Sequence, residues 1–420
     1  MDDFKFIHCS DLHLDAPFAG ISSSNDEIGK ILRDAPYKSY FNMVAQAVED
    51  KVDFVVIAGD IFNTADKSIR AQYNFYRGLK HLSDNDIPVF IAHGNHDPLN
   101  SWSTKMKIPE NVIGFDADNV YSRQVIVKGK PVARVYGISY GTRDIKENLA
   151  LKFKREDELP AIAVLHCNVG ENTGHEPYAP ATVDDIVNRG FDYWALGHVH
   201  SYKIIRKENP TIVYSGNIQA IKSSERGPKG YCLVDYSRQL GFNVEFKPID
   251  MVRYESIRID ITSCKSIEEI PDEITGHIED LIGKSDNRHL IFSLDIYGQT
   301  NLNTELRRRD FIQSISEDLR DQYASRDPIV WVDKINLSTN GEFDIESFRS
   351  EKSFVSDVIS AYDAISSEDP EYLRLIRAEL EALYKDWPGG AFLDPLSNED
   401  IMKLSLIARN RTLEKIFTDA

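Results

Sequence analysis

Five short groups of hard donor side chains recur through the first half of the chain: Asp11-Leu12-His13, Gly59-Asp60, Gly94-Asn95-His96-Asp97, His166 and Gly197-His198-Val199-His200. Each alone is ordinary: Asp11 and Asn95 could form turns and His166 could be a core imidazole. Their joint occurrence is the signal. Carboxylates, imidazoles and an amide without thiolate suit Mn2+, Fe2+ or Zn2+ better than Ca2+ or a structural zinc. A pair of such cations, roughly 3.5–4 Å apart, needs one carboxylate able to bridge them, and Asp60 is the candidate. In extended backbone, residues i and i+2 point the same way, so Asp11 with His13, and His198 with His200, are expected to converge in pairs. Between two cations a water would lose a proton near neutral pH and attack phosphorus in line. His96 is the natural donor to the leaving oxygen.

These groups stand at or just past the ends of apolar runs that read as buried strands: Phe4–Cys9, Phe54–Ala58, Val89–Ala92, Val132–Ile138, Ala161–Leu165 and Tyr193–Leu196. Strand ends are where an open α/β sheet collects its ligand-binding residues. Helical patterns at Tyr40–Val48 and Ile69–Leu82 make the first three strands α/β units. After His200, the runs Tyr202–Arg206, Ile212–Ser215, Tyr231–Asp235 and Phe242–Lys247 predict a second, more antiparallel sheet. The expected fold class is α/β, an αββα sandwich over residues 1–250. From Val252 the pattern becomes strand, helix, strand, helix, strand, predicting a small α+β domain over 251–345. Residues 346–420 read as a helical segment, interrupted at Trp387-Pro388-Gly389-Gly390. Two tail helices are expected. One opens at Asp369-Pro370 with Leu373, Ile376, Leu380, Leu383 and Trp387 in a seam; the other starts near Ser397 and presents Leu404, Ile407, Leu413, Ile416 and Phe417.

The net charge of −18 is awkward for a nucleic-acid enzyme, because DNA affinity comes largely from cations that neutralise phosphates. Most of the excess acid lies after residue 250, where 20 basic face 34 acidic residues; residues 1–250 carry only −4. Arg143, Lys203, Arg206, Lys222, Arg226 and Lys229 could track a DNA backbone or form a solvated rim. Cys9, Cys167, Cys232 and Cys264 form no Cys-x-x-Cys pair and are expected as buried thiols. His8 and His93 are expected as packing residues, and His81, His277 and His289 at the surface. His175 lies in a polar loop, Gly170–Tyr178, which is either a mobile surface loop or a substrate lid. Gly283-Lys284-Ser285 has Ile278 where a phosphate-binding loop needs its first glycine, so no nucleotide cofactor is expected. With no long apolar stretch and two acids at the start, a cytoplasmic protein without a membrane span is expected.

The five groups resemble the signature motifs of calcineurin-like metallophosphoesterases, and Gly59-Asp60-Ile61-Phe62 is similar to their SbcD/YhaO-like DNA nuclease branch. The resemblance implies that Asp11, His13, Asp60 and His200 hold one metal, and that Asp60, Asn95, His166 and His198 hold the other. It implies His96 as general acid, oriented by Asp97. It further implies a metal-dependent, Mn2+-preferring exonuclease acting on DNA ends, a capping role for 251–345 and an SbcC-like ATPase bound by the tail; a homodimer is compatible with it. Many members of that branch carry a substrate-contacting histidine where this chain has Asn63, which can hydrogen-bond a phosphate oxygen but cannot act as an acid. Two alternatives stand beside this reading: a small-molecule phosphodiesterase or phosphomonoesterase, and a weakly catalytic DNA-binding scaffold.

Overall fold

A computed structural model describes residues 3–16, 26–63, 68–99, 107–170, 178–323, 325–341, 345–349, 353–367, 369–385 and 396–418. The loop around His175 and the break at Trp387–Gly390 lie outside the described residues.

Twelve strands form two six-stranded sheets. The first contains β1 (Phe4–Cys9), β2 (Phe54–Ala58), β3 (Val89–Ala92), β4 (Val112–Gly114), β11 (Gly230–Ser237) and β12 (Gly241–Pro248), in the order β12-β11-β1-β2-β3-β4. The second contains β5 (Tyr121–Val127), β6 (Lys130–Gly137), β7 (Ala161–His166), β8 (Tyr193–Gly197), β9 (Lys203–Arg206) and β10 (Thr211–Tyr214), in the order β5-β6-β7-β8-β10-β9. The runs after His200 therefore do not make a sheet of their own. β9 and β10 extend the parallel strands β6, β7 and β8, whereas β11 returns to pair antiparallel with β1 and carries β12 as the edge.

The layering follows from which face each apolar side chain takes. β2, β3, β7 and β8 are buried at every position, as strands covered on both sides must be. Phe6, Phe54, Val56 and Phe90 from the first sheet meet Ile162, Val164, Tyr193 and Val213 from the second, with Phe6 and Phe54 stacked at 4.7 Å. Their alternate neighbours Ile7, Val55, Ile57 and Ile91 pack outward against helices Asp26–Glu49 and Ile69–Asp84 through Tyr40, Met43, Phe75 and Leu79. On the other side, Ala163, Leu165, Trp194 and Ile212 are covered by Leu149, Phe153 and Ile186. The result is the expected αββα sandwich.

The chain divides into two compact units, Met1–Ser256 with Ile282–Phe292 and Tyr323–Asp333, and Ile257–Leu281 with Ser293–Gln322 and Lys334–Ala420. The division falls within β13 (Val252–Asp260), β14 (His289–Gln299) and β15 (Val330–Asn340), which form a three-stranded sheet. The predicted single helix from Asn303 breaks after Leu306 and resumes at Arg309. Side-chain bonds compete with the helix there: Thr339 Oγ1 donates to Asn303 Oδ1 at 2.6 Å and Arg307 to the Thr339 carbonyl at 2.9 Å.

In the tail, helices span Phe354–Ser366, Pro370–Lys385 and Asn398–Thr418. Asp369 accepts the Glu371 N–H at 2.9 Å, and Ser397 and Asp400 exchange N–H bonds at 3.1 Å, which fixes both starts where the capping signals put them. The expected seam of the last helix splits. Leu413 is buried and Ile401 packs with Ile365 and Leu373, whereas Leu404 and Ile407 are half exposed, at 50% and 48%.

Candidate metal centre

Asp11, Asp60 and the Asn95–Asp97 group follow β1, β2 and β3 of the first sheet; His166 ends β7, and His198 and His200 follow β8 of the second. The donors thus meet across the sandwich instead of lining one sheet. The loops interlock through main-chain bonds from Asp11 N–H to the Gly59 carbonyl (3.0 Å) and from His13 N–H to the Asp60 carbonyl (3.1 Å). A Cβ on Gly197 would overlap the Ala58 carbonyl, so only glycine lets β8 approach β2 this closely.

The expected i, i+2 alternation is not how the side chains converge. Asp11, His13, Asp60 and His198 all have positive φ, at 52°, 41°, 52° and 100°. Left-handed backbone is costly for residues with a Cβ and persists where surrounding structure imposes it. These turns re-aim the donors. Asp11, His13 and His200 bring one donor atom each within 4.8 Å of one another, as do Asp11, Asp60 and His166.

Around the second group, His166 Nδ1 donates to the Ala58 carbonyl at 2.9 Å, which directs Nε2 at two acceptors, Asn95 Oδ1 (3.0 Å) and Asp60 Oδ2 (3.3 Å). In the first group, the Nε2 atoms of His13 and His200 face each other at 3.1 Å, and the buried His13 Nδ1 has no hydrogen-bond partner among the described residues. Lone pairs aimed at lone pairs require either a proton or a cation between them. Burial lowers the His166 pKa, but the Asp60 carboxylate outweighs it and lifts the group to about 9. Burial likewise raises Asp60, and the imidazoles of His166, His13 and His96 outweigh that and hold it below the usual carboxylate range. This donor set fits divalent cations, which would replace the stabilising proton with charge. His198 lies edge-on to His166 at 5.3 Å between ring centroids, and its main-chain N–H donates to both Asp11 carboxylate oxygens, at 3.2 and 3.1 Å.

His96 stands beside this cluster, edge-on to the His13 ring at 5.2 Å, with its main-chain N–H on Asp60 Oδ1 at 2.9 Å. Its Nδ1 donates to the main-chain carbonyl of Asn63 at 2.7 Å. Asp97, expected to orient His96, makes no hydrogen bond to the His96 ring among the described residues. Its carboxylate turns back to accept the N–H groups of Gly94 (3.0 Å) and Ile61 (3.1 Å) and contacts His93 Nδ1 at 3.3 Å, so it ties two donor loops together from below. The His96 ring is instead held by the main-chain carbonyl of Asn63.

A family profile for calcineurin-like phosphoesterases matches residues 4–202. The chain carries a calcineurin-like metallophosphoesterase domain. Beyond that domain, residues 254–340 match the middle domain of the metallophosphoesterase YhaO. The YhaO metallophosphoesterase of Bacillus subtilis (strain 168) is 37% identical over 64% of this chain, and the match spans 65% of that relative's length. Two proteins named DNA double-strand break repair protein Mre11 are more distant. That of Saccharolobus solfataricus is 25% identical over 70% of this chain and 75% of its own; that of Methanocaldococcus jannaschii is 26% identical over 64% and 72%.

Around this donor cluster, Glu225 is the residue that motif reading missed: its Oε1 accepts from His200 Nδ1 at 2.7 Å. Its only sequence signal is a lone acid in the Lys222–Lys229 loop, which does not say whom it faces. Burial raises the Glu225 carboxyl, and the bond from His200 outweighs it, bringing it to about 2. Lys229, expected among the DNA-tracking cations, is instead buried and donates to the His200 carbonyl at 2.8 Å. Arg143, Lys203, Arg206, Lys222 and Arg226 are exposed. His289 is half buried instead of superficial, because its Nδ1 accepts the Ile329 N–H at 3.0 Å. All four cysteines are free and buried. Among the described residues, no helix is long and apolar enough to cross a membrane.

Proposed function

We propose that this chain is a cytoplasmic metal-dependent phosphodiesterase that cleaves DNA at its ends. The observation that carries the reading is the pocket in which His13 and His200 Nε2 face each other while His166 Nε2 faces Asn95 and Asp60, all from different strand ends. Asp11, His13, Asp60 and His200 would hold one cation, and Asp60, Asn95, His166 and His198 the other, with Mn2+ as the preferred metal. When bound, such ions supply Lewis-acid stabilisation of phosphate charge and an activated water. His96 supplies the proton for the leaving oxygen: the Asn63 carbonyl fixes Nδ1–H, which leaves Nε2 to carry and release a proton. DNA as substrate is supported by the relatives named for double-strand break repair. Purified protein supplied with Mn2+ should degrade linear duplex DNA faster than closed circular DNA and leave cyclic nucleotides intact. Preference for a cyclic nucleotide, or no cleavage of any diester, would defeat the reading.

The tail belongs to the same proposal. Leu404 and Ile407 lie one turn apart on an exposed helix face, with Ala408 and Arg411 exposed beside them. We assign this face to an ATPase subunit of the SbcC type. Replacing both residues by Glu should leave Mn2+ content and cleavage of a small chromogenic diester unchanged while abolishing co-purification with that ATPase; undiminished co-purification would remove the assignment.

A further inference from the structure

We propose that Glu225 is a positioning residue for the metal centre, fixing the protonation form and ring angle of His200 so that Nε2 is offered to the first cation. The inference rests on the two-metal reading above.

The argument begins with the demands on the carboxylate. Glu225 Oε1 accepts from His200 Nδ1 at 2.7 Å, and Oε2 accepts from Asn217 Nδ2 at 2.9 Å and the Ile221 N–H at 2.8 Å. Three donors thus converge on two oxygens, and only a group that accepts at both ends satisfies them all. The side chain is held on its far side by Asn217 and its own loop, so it is a fixed abutment for the imidazole. Lys229 secures the same residue from below through the His200 carbonyl. A ligating histidine whose other ring nitrogen donates to a carboxylate is held in the form that leaves the metal-facing nitrogen bare.

Glu225→Gln is the decisive change. If the amide oxygen keeps His200, its NH2 group meets the Ile221 main-chain N–H, donor against donor, and Asn217 must turn its amide over to offer Oδ1. Turned over, the amide donates to His200 Nδ1 and moves the ring proton to Nε2, where it blocks the cation. Either way the first site is penalised, and the Asn95–His166–His198 side is untouched.

The test is titration of Mn2+ into chelator-stripped full-length protein, followed by electron paramagnetic resonance. Wild type should bind two ions, and Glu225→Gln should weaken one of them about 10- to 100-fold. Turnover of the variant should recover as Mn2+ is raised, because the defect lies in occupancy; a purely structural role would lower kcat at every metal concentration. Unchanged binding of both ions in Glu225→Gln overturns the proposal and leaves the two-metal reading standing. Failure of wild type to bind any Mn2+ sinks that reading and the proposal with it. Should the variant not fold, 15N-histidine spectra of the Zn2+-loaded wild type decide the matter: His200 should show a hydrogen-bonded Nδ1–H and an unprotonated, Zn2+-bound Nε2, and an Nε2–H form would overturn it.

Discussion

Asp60→Asn should leave a folded protein that retains neither cation firmly and loses about a thousandfold or more of the proposed phosphodiesterase activity. The size follows from metal ions supplying several kcal/mol of transition-state stabilisation, at roughly 1.4 kcal/mol per tenfold. Asp60 is the carboxylate whose Oδ2 lies between rings assigned to different cations, 3.3 Å from His166 Nε2 and 3.9 Å from His13 Nε2. Its Oδ1 has a second duty, accepting the His96 N–H at 2.9 Å. Asn keeps that acceptor and removes the charge, so it isolates the loss of metal from movement of the His96 loop. Asp60→Ala removes both and should additionally lower Tm, since the half-buried main-chain N–H of His96 loses its partner. Metal content measured on desalted protein beside turnover checks the pair. Two equivalents of metal with normal turnover in Asp60→Asn would end the bridging role.

His96→Ala should do the opposite, keeping both cations while turnover falls about 100- to 10,000-fold, the usual contribution of a positioned acid. The ring is held outside the cluster of donor atoms, against His13 on one side and the Asn63 carbonyl on the other. With His96 as the proposed acid, its loss removes a proton donor from the transition state and no metal bond. Because the Asn63 contact is made by the main chain, Asn63→Ala should preserve it, and any effect of that change reports on the Asn63 amide and the substrate alone. Loss of both metals in His96→Ala would reassign His96 as a ligand.

The donor groups themselves were legible because each is a compact run at the end of an unbroken apolar segment, and β1, β2, β3 and β7 start and stop within a residue of those segments. The helix starts at Asp369 and Ser397 were legible for the same reason: capping is settled within one turn. What remained hidden is non-local. β11 pairs with β1 across more than two hundred residues, and nothing in its own alternation distinguishes that edge from the one β9 takes.

The sequence by itself determined the donor types, their order along the chain and the strands that carry them, since hydrophobic period and side-chain chemistry are local properties. Only the tertiary structure decided that Asp97 braces Ile61 and Gly94, that Asn63 serves His96 with its carbonyl, and that Lys229 is buried beneath His200. It also turned Asp11, His13, Asp60 and His198 into left-handed conformations that no extended-strand rule anticipates. The reason is the same in each case. A buried carboxylate, carbonyl or ammonium takes whichever partner packing brings within about 3 Å, and that partner comes from another loop whose sequence position is set by the order of strands in the sheets.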